Sequence, residues 1–366
     1  MELNTYQADA VFKEVMTKVD TASVKRLGFR WGVRKKQMKG EKMINLLPYA
    51  EYIIQNKFNI FNTYVRQHGA LIGEFHTRKS RRRANICSAA KSVTSIGIGI
   101  AIDEGLITLD TKPVEILKSL IPVEYDPKWN HVTVKHLLTM SPGHSTGLLN
   151  GYSFDPNKPN RDAMEETNWI KYVFEQPLTY EPGTHFVYNN AAPYLLSIMM
   201  IQLTSQNFID WCRPRIFEPM DIRNPQWQTD PQGRTIGCGG IMLNAEELGR
   251  FGQLLLDGGM YAGKRIISEE YVRAACSHQI DNRTFVDPSL VGSGTSFDDD
   301  DSVAGYGYYI WRAAHEDAYY LAGWGGQYAV VLPHQDAVVS FMSHDFNSNL
   351  LDAVWKTIVP QLNKTI

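Results

Sequence analysis

The sequence predicts a mixed α/β (α+β) fold in which strands from both ends of the chain bracket a helical middle. Three observations carry that prediction. Residues 58–75 place apolar and β-branched runs on either side of Gln67-His68-Gly69, the pattern of a strand pair joined by a tight turn. Further strand-type runs come only late, at 305–313, 318–322, 328–332 and 337–343. Between the two groups the apolar spacing is helical, at 114–120, 133–140, 169–174 and 191–204.

Taken in order, residues 1–45 read as a lead-in, basic and broken by glycines over 27–42. Helical spacing begins at Met43 and runs to Gln55, ahead of the first strand pair. The cluster Arg78, Lys79, Arg81, Arg82 and Arg83 reads as a solvated connection rather than an anion site. A buried helix is expected from Ser88, filled with small and apolar residues and stopped by Gly105 at the C′ position. Asp298 to Asp301 read as an exposed acidic loop, since the spacing of a calcium-binding EF-hand is missing. Residues 351–362 look like a closing amphipathic helix.

The composition excludes several function classes. With 37 basic against 39 acidic side chains, the chain shows no nucleic-acid footprint. The first residues lack the apolar core and small-residue cleavage site of a signal peptide, and no apolar run is long enough to span a bilayer. Cys87, Cys212, Cys238 and Cys276 are scattered without CxxC pairing, so neither a zinc knuckle nor a disulfide framework is indicated. A cytoplasmic protein without membrane or nucleic-acid partners is expected. No metal or cofactor is expected either: His-Glu-x-x-His is absent, and Gly292-Ser293-Gly294 lacks the third glycine of a dinucleotide fingerprint.

Three stretches could carry chemistry. In the first, Ser88 and Lys91 stand one helical turn apart on the same face, so a hydroxyl meets an amine. A serine hydroxyl is a weak nucleophile until a neighbouring base takes its proton, and a lysine can be that base. The helix N-terminus adds amides and a positive dipole end for a developing oxyanion. In isolation Ser-x-x-Lys more commonly describes a helix cap followed by a snorkelling lysine. The second stretch, Pro182-Gly183-Thr184-His185-Phe186-Val187-Tyr188-Asn189-Asn190, brings a tyrosine and two asparagines to a corner before a helix. Tyr188 beside Lys91 makes a workable proton relay, and the Asn190 carboxamide can orient a substrate amide or the lysine. The bland alternative is a buried tyrosine plus a helix cap. The third, Tyr320-Leu321-Ala322-Gly323-Trp324-Gly325-Gly326-Gln327-Tyr328, holds three glycines within four residues between apolar strands. A main-chain amide there could complete an oxyanion hole with that of Ser88; a glycine-rich hairpin without a ligand is the alternative.

In this order the stretches resemble the serine β-lactamase and penicillin-binding protein superfamily, most closely its class C-like esterase and 6-aminohexanoate-dimer hydrolase branch. Ser88-Ala-Ala-Lys91-Ser is followed by His136-Leu-Leu-Thr-Met-Ser-Pro-Gly143, by Glu181 to Asn190, by residues 239–259 and by Gly323-Trp-Gly-Gly-Gln327. The resemblance implies an antiparallel sheet flanked by helices and a mostly helical lobe over about 106–235, within a domain of residues 46–366. It also implies Ser88 as the acylated nucleophile, Lys91 and Tyr188 as the proton-transfer pair and Asn190 as a substrate-orienting group. The amides of Ser88 and Trp324 would form the oxyanion hole, with Gly323 and Gln327 completing the substrate-binding set. One departure matters. Where β-lactamases and DD-peptidases carry Lys-Thr-Gly or His-Thr-Gly, this chain has Leu321-Ala322-Gly323, which removes the group that holds a substrate carboxylate. The expected function is therefore a serine hydrolase acting through an acyl-enzyme on a small ester or amide. The alternatives are β-lactamase or D-amino-acid peptidase activity, or a non-catalytic binder on the same fold. Cys87 reads as a small packed residue rather than a second nucleophile.

Overall fold

The computed structural model describes residues 43–77, 82–151, 161, 164–283, 300–315, 317–346 and 349–363. Most of the lead-in, Arg78, Lys79 and Arg81, the first two residues of the acidic run and Gly292-Ser293-Gly294 lie outside them. In chain order the helices are α1 (Leu47–Gln55), α2 (Ala90–Asp103), α3 (Pro113–Ile116), α4 (Val134–Leu138), α5 (Trp169–Phe174), α6 (Ala191–Thr204), α7 (Phe208–Cys212), α8 (Ala245–Leu256), α9 (Glu269–Cys276) and α10 (Asp352–Thr357). The strands are β1 (Ile60–Gln67), β2 (Ala70–His76), β3 (Ala84–Asn85), β4 (Met242–Leu243), β5 (Met260–Tyr261), β6 (Lys264–Arg265), β7 (Trp311–Arg312), β8 (Tyr319–Gly323), β9 (Gln327–Leu332) and β10 (Ala337–Ser343).

The main sheet has six antiparallel strands in the order β2-β1-β10-β9-β8-β7, so strands from the two chain ends meet at β1 and β10. Register assigns its faces. Tyr64 lies opposite Ser340 and Arg66 opposite Val338. Gly249 and Gly252 of α8 sit against Ser340 and Val338, and Arg66 pairs with Glu246 of α8 at 3.6 Å. The alternate residues Thr63 and Phe341 point the other way, where the Tyr49 hydroxyl of α1 meets Thr63 Oγ1 at 2.9 Å. With helices on both faces, every residue of β10 is buried.

Several elements differ from the sequence expectation, each for a local reason. Helix α1 starts at Leu47, with Pro48 in its first turn, because Ile44 donates its amide to the Ile72 carbonyl and joins the sheet side instead. Over 305–313 only Trp311–Arg312 is a strand; Tyr306 makes single bridges and Tyr309 turns the chain with φ of 59°. The closing helix ends at Thr357, and a 3₁₀ turn at Val359–Gln361 carries Pro360, which cannot continue an α-helix. Helices α7, α8 and α9 were not predicted. Helix α8 has a clear start signal, a capping box in which Asn244 Oδ1 accepts from the Glu247 amide and Glu247 Oε2 from the Asn244 amide.

Two charged stretches also change role. Arg83 is not a solvated connector residue: its Nε donates to Glu247 Oε2 at 2.8 Å and its NH1 to the Asn224 carbonyl at 3.1 Å. Asp301 is not an exposed loop residue: its side chain is 13% exposed and Oδ2 accepts from Trp355 Nε1 at 2.7 Å. Among the described residues, no helix is long and apolar enough to cross a membrane, and no group of three or more His, Cys, Asp or Glu side chains could hold a metal ion.

Candidate active site

The predicted Ser88 helix begins with a 3₁₀ turn, Cys87–Ala89, that runs directly into α2. Its first residue, Cys87, occupies the left-handed region with φ of 49°, an uncommon conformation for a residue with a Cβ. Asn85 holds that bend: its Oδ1 accepts the Cys87 amide at 2.8 Å and the Gly240 amide at 3.2 Å. At its other end α2 closes as expected, with Gly105 and Leu106 donating to the Ile102 and Ala101 carbonyls.

Within this frame Lys91 Nζ lies 2.9 Å from Ser88 Oγ and donates to the Cys238 carbonyl at 2.8 Å. The lysine is 1% exposed, whereas Ser88 is half-buried. Tyr188 lies against the same amine, 4.9 Å from Nζ to its ring centroid. Its other face stacks on Trp311, 5.6 Å between centroids at 29°. Tyr188, distant in sequence, is thus brought to Lys91 beside Ser88. Burial pushes the Cys87 thiol above its ordinary value, against a weaker pull from the Lys91 charge, so Cys87 stays protonated beside the serine.

The asparagines after Tyr188 hold the cleft wall. Asn190 Nδ2 donates to the Leu149 carbonyl at 3.1 Å and to Asn150 Oδ1 at 3.2 Å, while its buried Oδ1 has no hydrogen-bond partner among the described residues. The Asn190 amide nitrogen therefore faces the 149–150 loop. Asn189 is fully buried; its Oδ1 accepts from the Ala191 and Leu148 amides, and its Nδ2 approaches His144 Nδ1 at 3.2 Å. Burial, the largest influence, holds the His144 imidazole down to about 4, with the Val173 backbone and Asp126 pulling the other way.

The glycine-rich stretch forms the turn between β8 and β9, with the Gly326 amide donating to the Gly323 carbonyl. A Cβ on Gly323 would stand 2.1 Å from the Ile86 carbonyl oxygen, so glycine lets the end of β8 press against the residue two before Ser88. Trp324 follows, 46% exposed, its ring 4.3 Å from that of Phe346. Gln327 is buried under the turn and donates Nε2 to the Ser343 carbonyl at 2.9 Å. Leu321 is fully buried and Ala322 has no polar group, so no cation stands at the two positions before Gly323.

Sequence reasoning missed the Cys238 carbonyl, the Trp311 stack and the Asn85 brace. The first had a signal, the run Gly237-Cys238-Gly239-Gly240 that leads into and overlaps the start of the quoted 239–259 stretch.

A family model described as Beta-lactamase matches residues 64–362, which takes in all of these groups. The chain belongs to the β-lactamase family. Within that family it is 24% identical over 223 residues to a lovastatin esterase of Penicillium rubens, covering 55% of this chain and 53% of that one. It is also 24% identical over 200 residues to a 6-aminohexanoate-dimer hydrolase of Paenarthrobacter ureafaciens, covering 52% and 49%. The chain thus spans about half the length of the curated relatives it matches. Among solved structures, the octameric penicillin-binding protein homologue from Pyrococcus abyssi shares the fold, with a TM-score of 0.64 at 16% identity over 86% of this chain and 76% of that one. The β-lactamase family fold is the mixed antiparallel sheet with helices described above.

Proposed function

We propose that this β-lactamase family chain is a serine hydrolase that acts through an acyl-enzyme on a small ester or amide. The observation that carries the reading is the buried Lys91 amine 2.9 Å from the Ser88 hydroxyl, with the Tyr188 ring against it. In the first step Ser88 Oγ attacks the substrate carbonyl carbon and its proton passes to Lys91 Nζ. The Tyr188 hydroxyl shares that proton and returns it to the leaving alcohol or amine as the acyl bond breaks. The Ser88 and Trp324 amides take the negative charge on the carbonyl oxygen. Water then attacks the acyl-enzyme, gives its proton to the same Lys91–Tyr188 pair, and the Ser88 oxygen leaves with it. Asn190, Gly323 and Gln327 shape the cleft that orients the substrate.

The absence of a cation at Leu321 and Ala322 supports esters and small amides over carboxylate-bearing β-lactams and peptidoglycan stems. The exposed Trp324 suits an apolar acyl or alcohol group. Both curated relatives named above are hydrolases of this general kind by their names, one an esterase and one an amide-dimer hydrolase.

The test is release of p-nitrophenol from short-chain p-nitrophenyl esters by the wild type and by Ser88→Ala, with nitrocefin in parallel. Ester turnover should fall by about a thousandfold or more in Ser88→Ala, with little nitrocefin cleavage by either protein. Turnover of neither compound by folded wild type would favour the non-catalytic binder, and strong nitrocefin cleavage the β-lactamase reading.

A further inference from the structure

Lys91 is fixed between a side chain and a backbone group, Ser88 Oγ and the Cys238 carbonyl. A side chain on a helix is held by the helix, but a carbonyl in an irregular segment is held only by whatever fastens that segment. Residues 235–240 lie ahead of β4 and are fastened by side chains of other segments. Ser197 Oγ donates to the Thr235 carbonyl at 2.6 Å, Trp227 Nε1 to the Gly239 carbonyl at 2.8 Å, and Asn85 Oδ1 accepts the Gly240 amide. The Gly237–Cys238 peptide just before the lysine's acceptor is held on both sides: the Cys238 amide donates to the Ile236 carbonyl at 2.7 Å, and Thr94 Oγ1 donates to the Gly237 carbonyl at 2.7 Å.

Thr94 is fully buried and lies three residues after Lys91, on the same face of α2. The carbonyl it grips belongs to the peptide unit that ends at the Cys238 nitrogen, immediately before the carbonyl that receives Lys91 Nζ. Gly237 has φ of 65°, a left-handed conformation that glycine adopts without steric cost, and it packs so close to the Pro193 carbonyl that a Cβ there would stand 2.6 Å from its oxygen. Helix α2 therefore holds both ends of a closed circuit: Lys91 to Cys238, Cys238 to Gly237, Gly237 to Thr94, and Thr94 back to Lys91. We propose that Thr94 is a positioning residue for the Ser88–Lys91 pair, its hydroxyl pinning the Gly237 peptide and so setting where the lysine's backbone acceptor stands. The inference rests on the serine-hydrolase reading.

The experiment measures the rate at which a fluorophosphonate labels Ser88, together with kcat and KM for a p-nitrophenyl ester and a thermal melt for each protein. Thr94→Val and Thr94→Ala delete the hydroxyl in two ways, and Thr94→Ser keeps it. Ser95→Ala is the control, since Ser95 is an equally buried hydroxyl on the same helix that faces Tyr271 at 3.0 Å instead. Labelling and kcat should fall at least about tenfold in Thr94→Val and Thr94→Ala with KM little changed, because a misplacement of about 1 Å costs on the order of a hundredfold. Thr94→Ser should recover most of the rate, and Ser95→Ala should match the wild type. Wild-type rates in a folded Thr94→Val or Thr94→Ala would overturn the inference, as would an equal loss in Ser95→Ala or no recovery in Thr94→Ser. A wild type that takes no label and turns over no ester would instead overturn the serine-hydrolase reading itself.

Discussion

Lys91 illustrates what burial does to a polar side chain. An amine taken out of water is tolerated only where partners replace its hydration, and here Ser88 Oγ, the Cys238 carbonyl and the Tyr188 ring do so. Lys91→Met keeps the length and apolar stem but removes the proton acceptor. It should lower kcat for a p-nitrophenyl ester by about a hundredfold or more while the protein stays folded; kcat within a few-fold of wild type would remove Lys91 from the proton-transfer role. His144 gives a second prediction at this scale. Its folded value of about 4 lies below the ordinary 6.5, so the unfolded chain binds a proton that the folded one refuses. The neutral-state preference is fully present above about pH 6.5 and is lost as pH falls toward 4, a change of roughly 3 kcal/mol. In His144→Gln, denaturant melts should therefore show a shallower loss of stability between those pH values than in wild type; identical slopes would contradict the burial account.

At the scale of elements, the site is the junction of a helix start, a strand end and a strained bend. Gly323→Ala tests the junction, because the added methyl would meet the Ile86 carbonyl and push the end of β8 from the Ser88 turn. It should cost about 1–3 kcal/mol in stability and lower kcat/KM for esters; a variant with wild-type stability and activity would show that the close approach is unimportant. Much of this level was legible in the sequence. Trp169–Phe174, Ala191–Thr204 and Ala337–Ser343 form where the apolar spacing placed them, because strong periodicity and tertiary burial agree there. Helices α7 and α9 are short, and α8 was read only as a motif, so their periodic signal did not stand out. Ser88, Lys91 and Tyr188 were legible because side-chain chemistry marks them. The Cys238 carbonyl was not, because a backbone acceptor can come from any residue and only the folded path of 235–240 selects it.

At the scale of the whole molecule, β10 lies between β1 and β9 and so joins the strand group at one end of the chain to that at the other. A chain ending before Ala337 leaves β1 and β9 without their shared neighbour and exposes two long edges. It should lose cooperative thermal unfolding, a sharp transition by circular dichroism being the contrary result. The same topology brings the late glycine-rich turn to the early Ser88 turn, so the proposed chemistry depends on closing the sheet. Its central claim is that Ser88 becomes acylated. Peptide mapping by mass spectrometry after treatment with a fluorophosphonate tests it most directly. The account predicts a single adduct on the peptide containing Ser88 that is missing in Ser88→Ala; an adduct on another residue, or labelling that survives Ser88→Ala, would contradict it.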